Sequence, residues 1–319
     1  MEIVSDPTHD QIKNAAQALK DGHLVAFPTE TVYGLGADAT NEKAVSRVYS
    51  VKGRPTNHPL IVHISSINQL DKWAIDIPEY AIKLAEEFWP GPMTLILTRS
   101  SQAKDFVTGG QETVGLRVPN HLVALALISE FEKIGGVGIA APSANRFGLV
   151  SPTSALDVKA DLNTHLDFRD LILDGGQCAI GLESTILDCT NSSPIILRPG
   201  AITDEMIKEV VSVCVNIQIN QNQLRTSGSF QSHYKPKAIV VLNTRPLKGD
   251  GLIALSNIPT PKGVVRLSSP ASTEEFARNF YRALRLGDTR KLKRIVVIHP
   301  DGRGLALAIK DRLIKAAGI

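Results

Sequence analysis

Leu24-Val25-Ala26-Phe27-Pro28-Thr29-Glu30-Thr31 is an apolar run that ends in a proline, two hydroxyls and a carboxylate. Four apolar residues with no polar break read as a short buried strand, and the proline marks its end. The strand therefore delivers Thr29-Glu30-Thr31 to a sheet edge. Similar runs recur at 60–64, 93–98, 114–118, 137–141, 171–173, 184–187 and 195–197. Helical periodicity lies between some of them, at 79–88 and 121–128. Upstream, Thr8 and Gln11 have capping-box spacing, Ile12, Ala15, Ala16 and Leu19 share one helical face, and Gly22 ends that helix. Many short strands with few helices predict an α/β domain built on a large, twisted, open mixed sheet.

The pattern breaks at 216–237, which is polar, aperiodic and punctuated by Gly228 and Pro236. It reads as a linker. Strand patterns resume at 238–242, 251–255 and 295–298, with an amphipathic helix at 274–286 carrying Phe276, Phe280 and Leu284, and a closing helix at 305–317. The expected organisation is a first domain at 1–215, a linker at 216–237, and a smaller Rossmann-like α/β domain at 238–319. The second unit has no G-x-G-x-x-G, so no dinucleotide is assigned to it.

At 319 residues and 43% hydrophobic content the chain can bury ordinary cores without staples. Cys178, Cys189 and Cys214 are too few and too scattered for a disulfide framework or a cysteine zinc site. The N-terminus has no signal-peptide pattern, and no apolar stretch is long enough to span a bilayer. These features predict a cytoplasmic protein with no membrane partner. The net charge of +3 hides an asymmetry: residues 1–234 carry −8 and residues 235–319 carry +11. Either the basic part meets a polyanion, or it docks on the acidic part.

Familiar catalytic signatures are absent, including G-x-x-x-x-G-K-[ST], H-E-x-x-H, G-x-S-x-G and C-x-x-C. Cations and hydroxyls at strand ends remain. Lys52-Gly53-Arg54 is followed by His58 and His63; if extended, Lys52 and Arg54 project the same way. Pro142-Ser143-Ala144-Asn145-Arg146, then Ser151, follow a strand and could form either a capped turn or an anion nest. Thr113, Gly115 and Arg117 alternate on one strand face, and Arg117 and Arg198 sit within apolar runs, where arginine needs an anionic partner. A structural ion pair or an anion pocket would each satisfy them. Residue chemistry alone reaches a site for a polyphosphate and a small acid.

The pair Lys52-Gly53-Arg54 and Ser143-Ala144-Asn145 resembles the K-x-R…S-x-N hallmark of the YrdC/TsaC family. The supporting stretches are Phe27–Leu35 (FPTETVYGL), Pro59-Leu60-Ile61-Val62-His63, Trp89-Pro90-Gly91-Pro92-Met93-Thr94, Gly181-Leu182-Glu183-Ser184-Thr185-Ile186 and Arg198-Pro199-Gly200. Residues 229–236 and the tail resemble the family's long form, which carries an accessory C-terminal domain. The resemblance implies an L-threonylcarbamoyladenylate synthase, a nucleotidyltransferase joining ATP, L-threonine and bicarbonate for a tRNA modification, with Mg²⁺ accompanying ATP. It implies threonine contacts at Thr31, His63, Arg117, Ala141 and Ser184. It implies ATP contacts at Lys52, Arg54, His58, Thr113, Ser143, Asn145, Ser151, Arg198 and Tyr234, with Lys52 and Arg54 as the catalytic pair. His58 departs from the Asn of many relatives. Residues 228–234 are expected as a lid. The basic C-terminal unit keeps open a different reading, a non-catalytic double-stranded RNA or tRNA-binding protein, and with it a tRNA or a transferase complex as partner.

Overall fold

Thr8 and Gln11 close the capping box at the start of α1 (His9–Lys20), and Ile12, Ala15, Ala16 and Leu19 form its buried face. The computed structural model describes residues 3–218, 224–226 and 233–319. Within them one sheet holds β1 (Ile3–Ser5), β2 (Val25–Phe27), β3 (Gly34–Asp38), β4 (Ile61–His63), β5 (Met93–Thr98), β6 (Thr113–Arg117), β7 (Ile139–Ala140), β8 (Leu171–Asp174), β9 (Thr185–Asp188), β10 (Ile195–Arg198) and β11 (Asn216–Ile217). Their order is β1-β8-β2-β3-β7-β4-β6-β5-β9-β10-β11. The sheet is mixed: β4–β6 and β5–β9 run parallel, whereas β2–β3, β3–β7, β4–β7 and β5–β6 run antiparallel.

The unbroken apolar run at 24–27 follows from burial on both faces. Val25 and Phe27 pack with α1 and with α6 (Leu122–Lys133). Leu24 and Ala26 point the other way, into the main core. That core also takes Ala44, Val45, Val48 and Tyr49 of α2 (Glu42–Lys52), and Trp73 of the short α3 (Leu70–Trp73). Ala81, Leu84 and Ala85 of α4 (Glu79–Phe88), Val107 of α5 (Asp105–Thr108), Val158 of α7 (Ala155–Leu162) and Ile207 of α8 (Asp204–Val210) complete it.

Two sequence expectations change. Lys52 does not lie on an extended segment: it is the last residue of α2, and Gly53 caps that helix at φ 65°. The segment expected as linker begins as structure, because β11 at Asn216–Ile217 pairs in parallel with β10. The expected lid lies outside the described residues except for His233 and Tyr234.

The second unit is a four-stranded, all-parallel sheet of β12 (Ile239–Leu242), β13 (Gly251–Ile253), β14 (Val265–Ser268) and β15 (Arg294–Val297), in the order β12-β15-β13-β14. Both α9 (Thr273–Thr289) and α10 (Leu305–Ala317) pack on one face, against Val240, Ile253, Ile295 and Val297. The other face gathers Leu252, Ala254 and Val296 under Ile258 and Val264.

The charge asymmetry is spent partly between the two units. Arg285 of α9 pairs with Asp161 at 2.7 Å, and Arg312 of α10 pairs with Glu183 at 2.9 Å. Among the described residues no helix is long and apolar enough to cross a membrane. The three cysteines are free thiols, two of them buried.

Candidate active site

The end of β2 runs into Thr29-Glu30-Thr31, where Thr29 Oγ1 accepts from the Thr31 and Val32 amides and so fixes a tight turn. The next residues pair with the Pro142–Ala144 segment beyond β7: Leu35 N–H donates to Pro142 O at 2.9 Å, and Ala144 N–H donates to Tyr33 O at 2.8 Å. This pairing sets Gly34 opposite Ser143.

Lys52 joins the two hallmark motifs physically. Its ammonium, 2% exposed, donates to the carbonyls of Ser143 and Asn145. The left-handed turn at Gly53 then sends Arg54 back under the helix. Arg54 donates from its backbone to Tyr49 O at 2.9 Å and from its guanidinium to Pro59 O at 3.0 Å, and its Cζ lies 6.0 Å from the Phe147 ring centroid. The positive φ of 65° favours glycine at position 53, and a Cβ there would also push on the Arg146 guanidinium, 2.9 Å away, which would have to shift.

Arg117, at the end of β6, pairs with Glu30 at 2.8 Å and donates to Thr31 Oγ1 at 2.9 Å. His63, its register partner at the end of β4, meets Phe27 edge-on at 5.7 Å. Burial, with Arg117 close by, pushes the His63 imidazole down to about 3. It is therefore neutral near pH 7, a hydrogen-bonding group and a poor base. Arg198, at the end of β10, donates to Ser184 O at 3.0 Å and to Ser184 Oγ at 3.1 Å.

These side chains converge. One cavity is lined by Thr31, Lys52, Arg54, His63, Arg117, Ala141, Ser143, Glu183, Ser184, Arg198, His233 and Tyr234, among others. Among the described residues four cations line it against one carboxylate, Glu183, which is already paired with Arg312; Glu30, the ion-pair partner of Arg117, is not part of the lining. Burial drives Lys52 well below its ordinary value, with Arg54 adding to the effect; burial also lowers Arg54 to about 10 against the opposing pull of Tyr49 and Tyr234. Like charges held in a low-dielectric space favour entry of an anion, which relieves their repulsion.

Glu183 is the hub between the domains. It accepts from Ser151 Oγ at 2.6 Å, from Tyr281 Oη at 2.9 Å and from Arg312 Nε at 2.9 Å. Burial would raise its carboxyl, but Arg312, Arg198 and these hydrogen bonds outweigh it and hold the group at about 2. Tyr234, at φ 61° and 1% exposed, stacks on Tyr281 at 5.6 Å and lies under Arg312, whose Cζ is 5.7 Å from its ring centroid.

Residues 17–200 match the family model Sua5_yciO_yrdC, described as telomere recombination, and residues 202–318 match Sua5_C, described as the C-terminal domain of threonylcarbamoyl-AMP synthase. The chain belongs to the Sua5/YrdC family. Within that family it is 41% identical to threonylcarbamoyl-AMP synthase of Pyrococcus abyssi, covering 97% of this chain and 94% of the relative. It is also 41% identical to the Bacillus subtilis enzyme of that name, over 97% and 93%. The crystal structure of P. abyssi Sua5 complexed with L-threonine superposes with a TM-score of 0.90 at 38% identity, covering 100% of this chain and 98% of that one.

Of the residues carried over from the family, all five expected at threonine line the cavity, as do Lys52, Arg54, Ser143, Arg198 and Tyr234. The others stand around it. Ser151 binds Glu183, and Asn145 receives Lys52 while its amide donates to Arg146 O and Leu149 O. His58 packs by Phe147 with ring centroids 6.4 Å apart, and burial together with Arg54 lowers it to about 4. Thr113 begins the strand that Arg117 ends, four residues or about 13 Å away along β6. Sequence reasoning did not assign Glu30, Glu183, His233, Tyr281 or Arg312. Glu30 and Glu183 lie inside the family motifs, and for Glu30 the available signal was an acidic residue between two threonines just after a strand. Nothing local marks Tyr281 or Arg312, whose partner is about 100 positions away or more.

Proposed function

We propose that the chain joins ATP, L-threonine and bicarbonate into threonylcarbamoyl-AMP with release of pyrophosphate, supplying a tRNA modification in the cytoplasm. The observation that carries this reading is the single cavity in which Lys52, Arg54 and Arg198 meet Thr31, Arg117 and Ser184. Arg117 with Thr31 and Ser184 suits an amino acid carboxylate and hydroxyl. Lys52, Arg54 and Arg198 suit a triphosphate.

The threonine ammonium gives up a proton to solvent, the free amine adds to the bicarbonate carbon, and water leaves to give a carbamate. The carbamate oxygen attacks the α-phosphorus in line, and pyrophosphate leaves. Neither step needs a protein nucleophile. The residues' work is positioning and charge stabilisation. Neutral His63 hydrogen-bonds in this site without adding a charge that would repel the ammonium of arriving threonine. Glu183, the carboxylate that lines the cavity, is engaged by Arg312, so a Mg²⁺ accompanying ATP would be held by phosphates and water and would offset phosphate charge. Tyr234 and His233, which follow the linker, line the cavity, a position that supports a role in keeping water from a hydrolysable carbamate.

Pyrophosphate release should require ATP, threonine and bicarbonate together. Release that continues without threonine would refute the assignment.

A further inference from the structure

The C-terminal sheet holds a second cavity that this reaction does not use. The loops leaving the carboxyl ends of β12, β13 and β15 meet around it. Parallel sheets place ligand sites at this edge, because the strands fix the loop roots while the loops diverge to enclose a crevice. The floor is aliphatic, from Leu252, Ile258 and Ile298, and Pro246, Pro259 and Pro261 stand around it. This floor belongs to the sheet face opposite α9 and α10, and among the described residues no helix packs on it.

The rim is polar and already tied together. Asn243, held at φ 49°, donates its amide to His299 Nε2 at 2.9 Å and accepts from the His299 backbone N–H at 3.4 Å. That leaves the proton on His299 Nδ1, which donates to Pro300 O at 3.0 Å. The β12 and β15 loops are thus locked to each other. Asp301 projects from the second of them with its side chain 99% exposed.

One cation, Arg245, lines the cavity; Lys262 follows the lining residue Pro261 in sequence, and Lys248 lies against Gly263 beside it. All three are exposed, and none makes a side-chain ion pair or hydrogen bond among the described residues. A cationic mouth asks for an anion. An aliphatic floor asks for a flat uncharged body, and Asn243, Thr244 and Asp301 between them ask for hydroxyls or ring nitrogens. An inorganic anion would leave the floor bare, and an acyl chain would leave the polar rim unused.

We propose that this cavity binds a nucleoside 5′-phosphate, with its base on the Leu252–Ile258–Ile298 floor, its ribose hydroxyls at Asp301 and its phosphate on Arg245, Lys248 and Lys262. The site shares no residue with the first cavity.

Hydrogen exchange of the full chain with AMP, and separately with inorganic phosphate, tests it. AMP should protect 243–248 and 298–301, and phosphate alone should not. The double variant Arg245→Glu with Lys262→Glu should weaken that protection at least about tenfold in AMP concentration. Both positions are exposed and outside the first cavity, so threonine-dependent pyrophosphate release and Tm should stay at wild-type values. No protection of these segments at millimolar AMP, equal protection by phosphate, or protection unchanged in the double variant would each overturn the proposal. Because exchange reports on these segments directly, the outcome does not depend on whether the chain makes the adenylate.

Discussion

Lys52, Arg54 and Arg198 are buried together at 2%, 7% and 4% exposure, and their mutual repulsion is what an anionic substrate relieves. Arg54→Ala should therefore remove about 2–5 kcal/mol of ATP binding, seen as loss of pyrophosphate release with the fold intact by circular dichroism. Arg117→Ala should do more, because Glu30 at 2.8 Å is left as a buried charge with no partner. Its cost to stability should be about 3–5 kcal/mol in denaturant unfolding. The buried histidines give a pH signature. His63 and His233 are both lowered by burial to about 3, whereas the unfolded chain binds those protons near pH 6.5. Above about pH 6.5 both states are neutral and the groups contribute nothing; below it the unfolded state gains protons that the folded state refuses. Stability should thus fall on acidification, by about 2 kcal/mol per histidine at about pH 5. Denaturant midpoints measured at neutral and mildly acidic pH check this, and a flat profile would show that the two imidazoles are not buried as described.

At the scale of elements, α2 ends where the chemistry begins. Gly53→Ala would place a Cβ 2.9 Å from Arg146 in a left-handed conformation. It should cost upwards of about 1 kcal/mol and lower pyrophosphate release, because Lys52 and Arg54 flank the turn. α9 and α10 reach the same site from the other domain through Glu183. Tyr281→Phe removes one hydrogen bond to a charged acceptor and should cost about 1.5–3 kcal/mol, while Arg312→Ala strands the Glu183 carboxylate and should cost about 3–5 kcal/mol. Paired measurements of unfolding and of KM for ATP test whether that brace also shapes the cavity. Elements with strong patterns were legible in the sequence: the Thr8–Gln11 box, the apolar run at 93–98, and the helices at 79–88 and 305–317 match their spans or caps. α2 was not legible, because Val45, Val48 and Val51 favour strands on propensity and the helix is held by tertiary burial. β3, Gly34–Asp38, escaped for a related reason. Its glycines carry no strand propensity, and close neighbours explain them: a Cβ at Gly36 would meet Ile139 at 2.7 Å.

For the whole molecule, the opposite charges of the two parts are used at their contact. Arg285 with Asp161 and Arg312 with Glu183 cross between the domains, and the second of these pairs touches the cavity wall. The sequence could state the asymmetry but not its partners, since ion pairs more than 120 positions apart leave no local trace. The site residues inside motifs were readable for the opposite reason, because strand ends and turns fix their direction locally. The central claim is that one cavity brings a nucleotide and an amino acid into reaction. Mass detection of threonylcarbamoyl-AMP after mixing the protein with ATP, Mg²⁺, L-threonine and bicarbonate tests it most directly. The adenylate should appear with wild type, vanish when threonine or bicarbonate is omitted, and fail to form with Arg54→Ala. Folded wild-type protein that yields none of it, or an Arg54→Ala variant that yields as much, would contradict the account.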